Sequence, residues 1–154
     1  MTERQEPGAA AEERRRFVCP PARGQFEEIE LSLLDPADPD DRRFLIEAEH
    51  PELVRALQED RDEIVLHGQQ MSPRLHVTLH EIVANQLWDD DPPEAWRTAR
   101  RLLDLGYERH EILHMLCSAM ATEIWGVLHE DRPADHERYV RALEQLPESW
   151  EAGR

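Results

Sequence analysis

Two helix-length segments each carry a pair of histidines four positions apart. Arg74-Leu75-His76-Val77-Thr78-Leu79-His80-Glu81 holds one pair, and Arg109-His110-Glu111-Ile112-Leu113-His114 holds the other. On a helix, residues four apart lie one above the other, with Cβ atoms about 6 Å apart, so both imidazoles of a pair can reach one ion. Spacings of two or five would point the rings apart. One pair arises readily by chance in a chain with 8 His; two pairs at matched helix positions carry the signal. We therefore take His76, His80, His110 and His114 as candidate ligands of one metal ion. The alternative is a set of core histidines bonded to neighbours and water.

The donor set is nitrogen-rich and lacks Cys. That suits a divalent transition metal, with zinc or iron first among Zn, Fe, Ni, Co and Cu, and does not suit Mg or Ca. Glu81 and Glu111 lie beside the pairs, each about 100° around the helix from its preceding His. They are candidate catalytic bases on a metal-bound water, acceptors for the ligand rings, or plain surface charges. His110-Glu111-Ile112-Leu113-His114 also matches H-E-x-x-H, in which two His hold zinc and Glu drives a water. Here the motif opens its helix, no third-ligand motif follows, and no edge strand is expected to hold a peptide. His67 is a candidate fifth ligand. His50 and His129 fit helix termini, His136 fits the surface, and Glu123 lies nearly opposite His114 on an ideal helix.

These residues need helices to position them, and the chain punctuates itself accordingly. Asp38-Pro39 is a start, with Asp38 as cap and Pro in the first turn. His50-Pro51 ends that helix and opens another. Residues 61–71 read as a connection hinged at Gly68, with Ile64-Val65-Leu66 as a short extended piece. Ser72-Pro73 starts the third helix, which runs to about Trp88. Asp91 is expected to cap the fourth, with Glu94 completing a capping box, and Gly106 ends it. The fifth spans about Tyr107 to His129, and Pro133 opens a last one that Pro147 stops. Each His pair extends into an apolar stripe: Val83, Ala84 and Leu87 after the first, and Cys117, Ala121, Ile124 and Leu128 after the second.

The expected fold is all-α, a single-domain irregular bundle of about five to six helices. Residues 1–25 read as a disordered arm, 26–148 as the helical domain and 149–154 as a flexible C-terminus. In the arm, apolar residues are sparse around Arg14-Arg15-Arg16 and Pro20-Pro21. Among 154 residues, charged ones make up 34% and the formal net charge is −16. Such a surface repels nucleic acid and anionic lipid, so neither is an expected partner. No apolar run is expected to reach the ~20 residues that span a bilayer, and no apolar signal core opens the chain. Two isolated Cys, Cys19 and Cys117, make no disulfide framework, which fits a cytoplasmic protein. A protein partner or homo-oligomer is left open.

Pro73-Arg74-Leu75-His76, His80, Val83, Asn85-Gln86, Asp90-Asp91-Pro92, Gly106, Arg109-His110-Glu111 and His114 together resemble a bacterial family of uncharacterised proteins, domain of unknown function 1841. The likeness covers about residues 40–130 and leaves the arm outside. It implies a helical fold carrying these histidines and brings no established activity with it. A Glu near a Trp in that family is matched in part by Glu123 and Trp125. Two functions follow from the residues: a non-catalytic metal-binding protein, or a metal-dependent enzyme, either an H-E-x-x-H hydrolase or a non-haem iron protein using oxygen.

Overall fold

The computed structural model describes residues 8–66 and 69–153. Eight α-helices account for most of it: α1 Ala9–Val18, α2 Pro39–Ala48, α3 Pro51–Gln58, α4 Pro73–Asp89, α5 Pro93–Asp104, α6 Arg109–His129, α7 His136–Glu144 and α8 Glu148–Ala152. Two antiparallel hairpins interrupt them, β1 Gln25–Phe26 with β2 Ile29–Glu30, and β3 Ile64–Leu66 with β4 Gln69–Met71. A single 3-10 turn, Leu31–Leu33, follows β2. The helical class is as expected, and the count is near the five to six anticipated, the additions being α1 and α8 at the two ends. The strand at Ile64–Leu66 is the extended piece the sequence suggested. Its hairpin, like the first, presents strand edges that were not expected. Gly68 and His67 lie outside the described residues.

Starts and stops follow the local chemistry. The Asp38 carboxylate accepts from the backbone N–H groups of Asp40 and Asp41 at 2.8 and 3.4 Å. The Ser72 hydroxyl accepts from Leu75 N–H at 3.3 Å. Gly106, at φ +93°, lets the chain leave α5 in the left-handed region, where a side chain would be strained. Two boundaries differ from expectation. Pro92, not Asp91, is the residue before α5, and α7 begins at His136 with Asp135 as its cap instead of at Pro133.

α4 and α6 pack together at the centre; α1, α2, α3 and α5 lie against α4, and α7 closes over α5 and α6. Val83 and Leu87 on α4, Leu102 on α5, Ile112, Met115 and Leu116 on α6 and Leu143 on α7 are fully buried. The stripe expected along α4 is buried as far as Leu87. On α6 it departs from expectation: Cys117 is buried, but Leu128 is 72% exposed, while Met120, Glu123 and Gly126 turn inward. The reason is α7, which meets that side of α6. Arg138 donates to both Glu123 carboxylate oxygens at 2.7 Å, and Asp135 N–H donates to one of them at 3.0 Å. This ion pair holds the Glu123 carboxyl below its ordinary pKa, chiefly through the Arg138 bonds. By length and composition α6 is apolar enough to cross a membrane, contrary to the expectation that no run is. Half of that apolar stretch is buried inside the fold, as suits a central core helix.

Within the stretch expected as a disordered arm, the described residues from 8 onward include α1 and the start of the first hairpin at Gln25. Phe17 and Val18 are buried, and Phe17 meets Trp96 edge-on at 5.5 Å. The arginine run supplies much of the docking: Arg14 Nε–H donates to Leu87 O at 2.7 Å, and the Arg15 guanidinium lies 4.8 Å from the Trp88 ring centre. Two apolar residues at the end of a short helix suffice here because cations satisfy the last carbonyls of α4. The C-terminal residues expected to be flexible, 149–154, include all of α8 but its first residue, Glu148.

Candidate metal centre

The second turn of α4 carries His80, buried, one turn above His76, half-buried. On α6 His114, half-buried, sits one turn beyond His110, which is exposed. Both helices begin at the same place, so the two pairs meet. Ring centroids lie 5.2 Å apart for His76 and His114, 5.1 Å for His80 and His114, and 6.1 Å for His80 and His110. Within the pairs the separations are 4.7 and 4.5 Å. All four histidines singled out by spacing thus share one locus.

A fifth imidazole joins them. His50, assigned from sequence to a helix terminus, is 3% exposed, and its ring centre is 4.3 Å from that of His80, 5.1 Å from His110 and 5.7 Å from His76. It occupies the corner where α2 ends and Pro51 opens α3. Its Nδ1 lies 2.8 Å from Ile46 O. A carbonyl only accepts, so Nδ1 bears a proton, and in the neutral ring Nε2 carries the lone pair. That buried Nε2 has no hydrogen-bond partner among the described residues. One nitrogen each from His50, His76, His80 and His114 lies within 4.8 Å of all the others. His110 stands at the outer edge of this group.

These distances approach a coordination sphere. Zn–N bonds of about 2.05 Å set roughly 3.3 Å between neighbouring ligand nitrogens in a tetrahedron. His76 Nε2 and His80 Nε2 are 3.0 Å apart, close to that edge. The widest pair must close by roughly 1.5 Å, within reach of small side-chain torsions on fixed helices. His50 has the further feature of ligand histidines generally, a carbonyl on the second ring nitrogen that fixes the tautomer and turns the other lone pair inward. Burial, and then the neighbouring imidazoles, push the His80 pKa well below its ordinary value. The His110 pKa is lowered as well, first by the partial desolvation of its ring at the rim and then by His50, with the Glu49 and Glu52 carboxylates opposing. Neutral rings are the form that binds a metal.

The carboxylate candidates fare differently. Glu81 is in an ion pair, 3.3 Å from Arg43 Nε. Glu111 is half-buried beside His110. Glu123 is committed to Arg138 and Asp135, so the Glu near Trp of α6 holds α7. His129 stacks on Trp125 at 4.8 Å, and His136 is an exposed neighbour of Glu94 at 3.7 Å, as a terminus and a surface position predict. A cleft of about 750 Å³ lies between α3 and the second hairpin among Glu52, Arg55, Glu59, Arg61 and Glu63; none of the five histidines lines it.

The position of His50 left no periodic trace, because no other histidine lies four residues from it. The only hint was a histidine directly before a helix-opening proline.

Comparison with curated proteins and with solved structures finds no match. The family match is broad: it spans residues 12–145, and so takes in most of α1, which the resemblance read from motifs had left outside. The chain belongs to the family described as domain of unknown function DUF1841.

Proposed function

We propose that this protein binds one divalent transition-metal ion, zinc or iron foremost, through His50, His76, His80 and His114, with His110 at the rim of the site. The observation that carries the reading is the buried, unbonded Nε2 of His50 facing a cluster of imidazoles. Leaving such a group without a partner costs about 1–3 kcal/mol, and a metal ion removes that penalty while satisfying several rings together. The acidic surface, at net −16, favours cations in the surroundings and offsets the full dication charge that neutral ligands leave in place.

A holding site, structural or sensory, is preferred to a catalytic one. The ligands converge from three separate segments, the α2–α3 corner, α4 and α6, as suits an ion that ties those segments together. The second reading, a metal-dependent hydrolase or oxygen-using iron enzyme, is favoured by the exposure of His110 next to half-buried Glu111. The test is metal content by elemental analysis after loading with zinc or with iron under reducing conditions, followed by desalting. We expect about one ion per chain in the parent protein and loss of it in a His80→Ala, His114→Ala double variant. Equal content in both, or none in the parent, overturns the reading.

A further inference from the structure

The residue before His50 and the residue before His110 are joined. Arg109 spends four of its five N–H groups at one junction. Its Nε–H donates to Phe17 O, and Nη2 donates to Val18 O at 2.8 Å and to Glu49 Oε1 at 3.3 Å. Nη1 donates to Glu49 Oε2 at 3.2 Å. The two carbonyls are the last of α1, Glu49 caps the C-terminus of α2, and Arg109 is the first residue of α6. The side chains are only 25% and 33% exposed, so the pair is partly shielded from solvent.

The proposed ligands ride on separate elements. α4 and α6 pack on one another, which sets the positions of their histidines. The corner bearing His50 packs on α4 through α2 and α3. Its charged tie to α6 runs through Arg109. We infer that Arg109, clasped to Glu49, is a positioning residue of the histidine centre, fixing the separation of His50 from the α6 histidines while the end of α1 holds the guanidinium in place. This rests on the metal-binding reading above. The planar fork is essential to it, since one ammonium cannot span two carbonyls and both oxygens of a carboxylate.

The experiment is a Co²⁺ titration of the full chain, followed by visible absorption and equilibrium dialysis. The variants are Arg109→Gln, Arg109→Lys, Glu49→Gln and the Arg109→Gln, Glu49→Gln pair, with Glu123→Gln as a control remote from the site. We expect Co²⁺ affinity to fall about 10- to 100-fold in Arg109→Gln, the range for residues that orient ligands. We also expect an altered d–d band, little rescue by Lys, and a double variant no weaker than Arg109→Gln. Glu123→Gln, less stable but untouched at the site, should keep the parental affinity and band. Glu49→Gln leaves the α1 bonds of Arg109 intact and carries the same expectation if Arg109→Gln does not fold. Parental affinity and band in folded Arg109→Gln or Glu49→Gln overturn the clamp and leave the metal centre standing. A parent chain that does not bind Co²⁺ overturns both.

Discussion

Replacing His50 by Ala separates a coordinating ring from a merely buried one. In the metal-free protein the change removes the bond from Nδ1–H to Ile46 O, about 1 kcal/mol, and the packing of a ring 3% exposed. It also removes the unpaired Nε2, which returns about 1–3 kcal/mol. These terms oppose, so the metal-free melting temperature should move little. With metal the balance is different. Four-ligand zinc sites bind with about 10–16 kcal/mol, so one ligand is worth about 3 kcal/mol, or roughly a hundredfold in Kd. At free Zn²⁺ of about a thousand times the parental Kd, binding stabilises the parent by about 4 kcal/mol; a hundredfold weaker variant gains only about 1.4 kcal/mol. At about 3 °C per kcal/mol for a chain of this size, the metal-induced rise in Tm should fall from about 12 °C to about 4 °C. The assay is thermal unfolding by circular dichroism with chelator and with buffered Zn²⁺. An undiminished metal-induced rise in the variant would refute the reasoning, since it would mean that His50 is a core residue and not a ligand.

Other outcomes follow from the packing and the charges. Phe17→Ala should destabilise the fold by about 3 kcal/mol in urea denaturation, because its ring is buried against Trp96; a free arm would show no change. Leu116→Ala, at a fully buried position, should cost about 3–4 kcal/mol in the same assay. Glu123 has a folded-state pKa below its unfolded value of about 4.3, so its contribution is complete above that value and is lost as pH falls through the folded pKa. Acid titration of stability should therefore be shallower below about pH 4.3 in Glu123→Gln than in the parent. The Cys19 thiol is pushed up to about 11 and that of Cys117 further still, both first by burial. Alkylation of the native protein at about pH 8 should accordingly be slow at both and fast only in denaturant.

Local sequence determined the helical architecture and four of the five histidines of the candidate site. Asp38-Pro39 and Ser72-Pro73 open helices through neighbouring groups alone, and Gly106 ends one because it needs no distant partner to take a positive φ. His76 with His80, and His110 with His114, share a face by helical periodicity, so their pairing was legible before any packing was known. Tertiary structure decided the rest. His50 reaches the cluster only because α2 turns into α3 against α4, a long-range contact with no period to betray it. α1 orders because the carbonyls at its end and at the end of α4 meet Arg109 and Arg14, residues dozens of positions away from them. The inward turn of Glu123 needed Arg138 from α7. Periodicity reports which side chains share a face of one element; which faces then meet depends on contacts between residues far apart in the chain, and these leave no local pattern.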